Sequence, residues 1–192
     1  PGMQVSFSQP IRDNVLESIS QIDGQIVIKV VGDDLDKLND IGRRIERAIA
    51  MTRALRLFGM PGATADDLST LLDLADSQIS YRQRYLTGIA RVPVVDLVAL
   101  DPGNPRSLAY QAERITQRLA DLPVLSDDGM PEPQQSHAAA LAATLAMTDA
   151  AAIDADALGD IERRLAQLSD AIARRYFLQG AEPLRAVGLT LA

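Results

Sequence analysis

The sequence predicts a mainly helical protein, a helix bundle with a short N-terminal α/β appendage. Three observations lead there. Of the 192 residues, 47% are hydrophobic but only 4% aromatic, with no Trp, and the apolar mass is mostly Ala and Leu, which favour helices over sheets. From Leu38 onward apolar residues recur at every third or fourth position, the period of one buried helical face. Only residues 25–31, QIVIKVV, read as an alternating β-branched run, which marks a single strand.

The elements follow in order. Residues 13–20 read as a short helix after the Gln9-Pro10 break, and the strand at 25–31 is bounded by Asp23-Gly24 and Gly32-Asp33, pairs that stop regular structure. The division expected is an appendage over residues 1–36, a helical bundle over 37–180 and a tail over 181–192. Leu38, Ile41, Ile45, Ile49 and Thr52 predict one long helix reaching about Phe58, where Gly59-Met60-Pro61-Gly62 turns the chain. Thr64, with Asp67 three residues on, has the spacing of a capping box and opens a helix with the stripe Leu68, Leu71, Leu72, Ala75 and Ile79.

Residues 92–100, VPVVDLVAL, are too apolar for period to decide, but Pro93 in the first turn favours a short buried helix over a strand. The turn Asp101-Pro102-Gly103-Asn104-Pro105 places Asn104 as N-cap and Pro105 at the first helical position of a helix burying Leu108, Ala112, Ile115, Leu119 and Leu122. Residues 123–135 are rich in Pro, Gly and Asp and read as an exposed connection. An Ala-rich helix is expected from about His137 to Thr148, and a last one from Asp154 or Asp156, with Leu158, Ile161, Leu165, Leu168 and Ile172 forming a bundle seam.

Charge and composition exclude several functions. A net charge of −7 argues against a nucleic-acid partner, because affinity for the phosphate backbone comes from clustered Lys and Arg. With no Cys, and His137 as the single His, disulfides, thiolate chemistry and Cys- or His-based metal sites are not expected, and no cofactor is implied. No apolar run reaches the 18 residues of a membrane span, so no membrane partner and a cytoplasmic location are expected. The chain starts Pro1-Gly2 without Met, which reads as a fragment of something longer.

Arginine supplies the candidate chemistry. Arg43 and Arg47 lie one turn apart in Arg43-Arg44-Ile45-Glu46-Arg47, a spacing that suits a clamp on an anion and suits intramolecular ion pairing even better. Tyr81, Arg82, Arg84 and Tyr85 form a second patch, and Arg174, Arg175 and Tyr176 a third. Glu46, Glu113, Asp76, Asp96 and Asp170 are the carboxylates available to such groups, and a structural network outweighs a ligand site. Asp101, Arg106 and Glu113-Arg114 surround the start of the helix after the DPGNP turn, where capping competes with anion binding. His137, with no acid or nucleophile at a motif spacing, reads as a surface histidine.

Two resemblances complete the reading. The strings DIGRRIERA (40–48), LLDLADSQISYRQRY (71–85), PVVDLVALDPGNPRSLAYQAERI (93–115) and LSDAIARRYF (168–177) resemble the C-terminal half of the alpha-E family, a bacterial all-helical domain named for a Glu-Arg motif. The segment FSQPIRDNVLESISQIDGQIVIKVVGDDLD (7–36) resembles a porter-domain fragment of heavy-metal efflux pumps of the resistance-nodulation-division family, and the junction falls between Gly32 and Ala50. The alpha-E resemblance implies work alongside ATP-grasp ligase-like and transglutaminase-like proteins in a peptide-synthesis or modification system. It marks Arg43, Glu46, Arg47, Arg106, Glu113 and Arg114 as motif positions without assigning them a catalytic role.

The expected function is therefore a non-enzymatic helical binding or scaffold module. Its candidate ligand-binding residues are Arg43, Glu46, Arg47, Tyr81, Arg106, Glu113 and Arg114. The alternatives are a group-transfer accessory enzyme in which Arg and Tyr converge on an anion, and a piece of an efflux pump. Self-association is also expected, through helix faces that the rest of the family domain would cover.

Overall fold

The isoleucine period before Phe58 produces the longest helix in the computed structural model, which describes residues 33–86, 88–124 and 129–177. The chain divides between Gly32 and Asp33, and every described residue lies in the second unit. The strand expected at 25–31 therefore lies outside the described residues. Helix α1 spans Asp33–Phe58. It buries Ile41, Ile45, Ala48, Met51 and Leu55. Thr52 interrupts this apolar face at little cost, because its hydroxyl donates to the Ala48 carbonyl at 2.8 Å. Gly59 ends the helix where space is short: a Cβ there would lie 3.0 Å from the Leu55 carbonyl oxygen and 3.2 Å from Leu71.

Helix α2 (Ala65–Leu74) starts on the expected box, the Asp67 amide donating to Thr64 Oγ1 at 3.2 Å and the Thr64 amide to Asp67 Oδ2 at 2.9 Å. Its stripe ends early. Asp76 adopts φ 48°, a left-handed conformation that breaks the helix, and α3 (Gln78–Arg84) restarts with Ile79 at 74% exposure. The expectation that Ile79 extends the buried stripe is thereby corrected.

Helix α4 (Arg91–Val95) begins with Pro93 in its first turn, as expected, and runs directly into a π-helical turn over Asp96–Leu100. That turn closes with the Asp101 amide donating to the Asp96 carbonyl at 2.9 Å, a wide turn that period alone does not signal. Helix α5 spans Leu108–Ala120 and buries Leu108, Ala112, Ile115 and Leu119 of the expected stripe, while Leu122 is buried just past its end. Its N-cap is Ser107, whose Oγ accepts from the Tyr110 amide at 3.0 Å, and not Asn104. Asn104 is buried, donating to Ser77 Oγ at 3.0 Å and the Leu97 carbonyl at 2.8 Å while accepting from the Arg106 amide at 3.1 Å.

Helix α6 spans Pro133–Met147 and starts four residues before the expected His137. Glu132 caps it reciprocally with Gln135, and Pro133 sits at its start, where a missing N–H is harmless. The connection expected to be exposed through residue 135 thus ends in buried side chains, Glu132 at 8% and Gln134 at 2% exposure. A 3₁₀ turn at Ala150–Ala152 leads to α7 (Ala155–Tyr176), capped by Asp154 Oδ1 accepting from the Ala157 amide at 2.8 Å. All five residues of its expected seam are buried.

Helices α1, α5, α6 and α7 close a ring, α1 against α5 and α7, and α6 against α5 and α7. Cross-links fix the directions. Lys37 reaches the Asp121 carbonyl and Arg44 reaches Gln111 across α1/α5, while across α1/α7 Arg53 and Arg56 reach Glu162 and Ile41 and Ile45 cluster with Leu168 and Ile172, so both pairs are antiparallel, as in an up-down bundle. At one end Ile41, Ile45, Ile115, Leu119, Leu168 and Ile172 form the bundle core. At the other, Leu71, Leu72, Tyr81, Val94, Leu97 and Val98 from the short elements pack against Leu55, Leu141, Leu158 and Leu165. Each fully buried Leu or Ile contributes about 1.5–3 kcal/mol. Arg91 ties this end together, donating to the Gly59 carbonyl at 2.8 Å and also to the Ile153 carbonyl.

Candidate functional site

A cluster of charged groups lies on the surface seam between α1 and α5. Burial of Ile41 and Ile45 turns Arg44 toward α5, leaving its side chain 14% exposed. Arg44 Nε donates to Asp40 Oδ2 at 3.0 Å, and Arg118 Nε from α5 donates to the same oxygen at 3.1 Å. Arg44 Nη1 also reaches Gln111 Oε1 at 3.4 Å. Beside them the Arg114 guanidinium lies 5.0 Å from the Tyr110 ring centroid and donates to Gln117 Oε1 at 2.8 Å. Arg44, Tyr110, Arg114, Gln117, Arg118 and Asp121 line a concavity of about 250 Å³. Partial burial pushes the Asp40 carboxyl up, but the guanidiniums of Arg44 and Arg118 outweigh it and hold Asp40 below the usual carboxylate range.

The residues named from sequence are dispersed. Arg114 lines this concavity, and Glu113 lies beside it, exposed and accepting from Gln117 Nε2 at 3.1 Å. Arg43, Glu46 and Arg47 are exposed on α1, with no hydrogen bond or ion pair among the described residues. Tyr81 is buried. Its hydroxyl donates to the Gly88 carbonyl at 3.2 Å and accepts from the Ala90 amide at 3.1 Å, so it holds the loop after α3. Arg106 pairs with Asp76 at 3.2 Å on an exposed surface. Tyr81 and Arg106 belong to the short-helix end of the molecule, while Arg114 belongs to the α1/α5 seam.

Sequence reasoning missed Asp40, Arg44 and Arg118, although a signal for the first two existed. Asp40-Ile41-Gly42-Arg43-Arg44-Ile45 recurs as Asp160-Ile161-Glu162-Arg163-Arg164-Leu165. In both copies the aspartate accepts from Nε of the second arginine, at 3.0 Å from Arg44 and 2.6 Å from Arg164, while the flanking Ile and Ile or Leu are buried. Arg164 foremost holds the Asp160 carboxyl below its usual range. A second concavity, about 470 Å³, lies between α6 and α7 and is lined by Gln134, His137, Gln167, Asp170, Arg174 and Arg175. At its edge Arg175 Nε donates to the buried Glu132 carboxylate at 2.9 Å, joining α7 to the cap of α6. Among the described residues no three His, Asp or Glu side chains gather as they would around a metal ion.

These features define a class, a helical module in which arginine–carboxylate pairs tie α1 to both α5 and α7. The chain belongs to the Alpha-E family, described as a predicted alpha-helical domain with a conserved ER motif, whose profile matches residues 3–177. That span includes residues 7–36, the stretch for which a porter-domain resemblance was expected. The chain contains the Glu-Arg pairs Glu46-Arg47, Glu113-Arg114 and Glu162-Arg163, and in the third Glu162 ties α7 to Arg53 and Arg56 of α1. The chain is similar to the uncharacterized proteins Mb2597 of Mycobacterium bovis and Rv2567 of Mycobacterium tuberculosis, 33% identical to each over 119 residues. The similarity covers 60% of this chain but only 13% of each relative. No solved structure matches the chain. Among the described residues no helix is long and apolar enough to cross a membrane.

Proposed function

We infer that this chain is a non-enzymatic helical binding or scaffold module, working beside an ATP-grasp ligase-like or transglutaminase-like protein in peptide synthesis or modification. The observation that carries the binding-module part is the use made of the polar interior. Among the described residues every buried side-chain nitrogen and oxygen has a partner. Apart from Thr52, which bonds within α1, those partners are chiefly turns and helix ends: Asn104 and Ser107 fasten the DPGNP turn, Gln111 the Pro105 carbonyl, and Gln134 the cap at Glu132. Polar groups engaged in this way set geometry and leave recognition to the surface. The ligase-side association is what the family resemblance implies, and relatives much longer than this chain leave room for further domains.

The group-transfer alternative requires the Tyr81 hydroxyl to face a substrate, whereas both its hydrogen bonds go to backbone of its own loop. The efflux-pump alternative is not adopted, because one family profile spans residues 7–36 together with the helices that follow. The test is co-purification. A tagged chain produced in a mycobacterial host is expected to retain an ATP-grasp-type or transglutaminase-like protein in stoichiometric amount, identified by peptide mass. A folded chain that retains neither overturns the association.

A further inference from the structure

We propose that the concavity between α1 and α5 is an oxyanion site that receives a carboxylate of an acidic peptide, held by the terminal guanidinium nitrogens of Arg44 and Arg118. The argument starts from Asp40. One of its oxygens accepts from Nε of both arginines, at 3.0 and 3.1 Å, so one carboxylate fixes two guanidiniums side by side. This leaves both terminal nitrogens of Arg118 without a bond among the described residues, and likewise Nη2 of Arg44. Like charges brought this close repel, and a single shared carboxylate does not neutralise both. Arg114, over the Tyr110 ring at 5.0 Å from its centroid and bonded to Gln117, adds a third guanidinium to the wall. In a chain of net charge −7, this is a small positive concavity whose donors are already oriented.

Size and charge select the ligand. At about 250 Å³ the concavity lies below the roughly 300–1,000 Å³ of sites that enclose a whole small molecule. It admits the end of a ligand, a single oxyanionic group with a few carbon atoms. Asp121 also lines it, and α5 ends there at Ala120, so a carboxylate and the negative end of a helix dipole both face the entering group. That repulsion grows with ligand charge, which favours a planar monoanionic carboxylate over dianionic phosphate. The carboxylate also matches the two-pronged guanidinium geometry. The choice of a peptide as carrier rests on the binding-module reading above; the oxyanion site itself does not.

The test is calorimetric titration of the full chain with N-acetyl-Glu-Glu amide, whose two side chains are its only carboxylates, with the form in which both side chains are amidated as well, and with sodium acetate and inorganic phosphate. The diacid is expected to bind, the fully amidated form not to bind, and phosphate to bind more weakly than the diacid. Arg118→Gln, at an arginine whose side chain is 46% exposed, is expected to keep the fold and weaken the diacid about tenfold. Asp40→Asn separates a built site from general attraction. It removes one negative charge, so diffuse electrostatics would tighten binding, whereas loss of the shared anchor weakens it about tenfold. Tighter binding by Asp40→Asn, equal binding of the fully amidated form, preference for phosphate, or no diacid binding at all would each overturn the proposal. Acetate binding as tightly as the diacid would overturn the peptide assignment, and failure to capture a ligase-like partner leaves these titrations unchanged.

Discussion

Replacing Asn104 distinguishes two accounts of the DPGNP turn by more than experimental error. As an N-cap, Asn is interchangeable with Asp, and Asn104→Asp would be close to neutral. In the structure, however, Asn104 is 7% exposed, and its amide nitrogen donates to Ser77 Oγ and the Leu97 carbonyl while its oxygen accepts from the Arg106 amide. These bonds join the α2/α3 turn, the π-helical turn and the DPGNP turn. Asn104→Ala removes all of them, at about 1 kcal/mol each, hence about 3 kcal/mol together. That is a large share of the roughly 5–15 kcal/mol of a typical domain. Asn104→Asp keeps the shape but loses both donors and turns a carboxylate toward the Leu97 carbonyl, so it should cost at least as much at pH 7.

Urea denaturation followed by circular dichroism measures this. With a slope of about 1–3 kcal/mol per molar, the midpoint should fall by about 1–3 M for either variant. The pH dependence carries its own sign. A carboxyl introduced at this position has a folded pKa raised above its unfolded value of about 3.9, so its stability is fully present below that value and lost as pH rises through the folded one. The gap between Asn104→Asp and the parent protein should therefore narrow in acid. An Asn104→Asp variant as stable as the parent at pH 7 would refute the reasoning and restore Asn104 as a cap.

Two further outcomes are expected. Asp40 has its folded pKa depressed, so its stabilising link between α1 and α5 is present above the unfolded value and lost as pH falls through the folded one. The stability difference between the parent and Asp40→Asn should hold at neutral pH and close below about pH 4, and a difference that persists to pH 2 would contradict the pairing. On the stripe of α2, Leu71→Ala should cost about 2–5 kcal/mol, while Ile79→Ser, at 74% exposure, should stay within about 0.5 kcal/mol of the parent. Equal costs would mean that the helix continues through Asp76.

Much of the fold was legible because the signals that specify it act over one turn of helix. The Ile stripe of α1, the Thr64–Asp67 box, Pro93 in a first turn and the three-and-four seam of α7 each depend on residues no more than four positions apart. The candidate site was less legible, although part of it lay within reach. At about 100° per residue, Arg43 points about 200° away from Ile41, while Arg44 lies only about 60° from it. The i,i+4 spacing of Arg43 and Arg47 drew attention to the outward face, while the partner of α5 was their neighbour. Arg118 could not be assigned in this way, because its link to Asp40 spans 78 residues.

The sequence by itself determined helical periods, most stripes and several caps, since local backbone hydrogen bonding and apolar spacing are encoded within a single helix. Only the tertiary structure decided that α1, α5, α6 and α7 close a ring, that Asn104 is buried at the meeting of separate turns, that Glu132 lies under Arg175, and that Asp40 holds two arginines at once. The physical reason is the same in each case. A polar side chain can face inward only where distant segments supply its partners, and the identity of those partners is set when the helices pack.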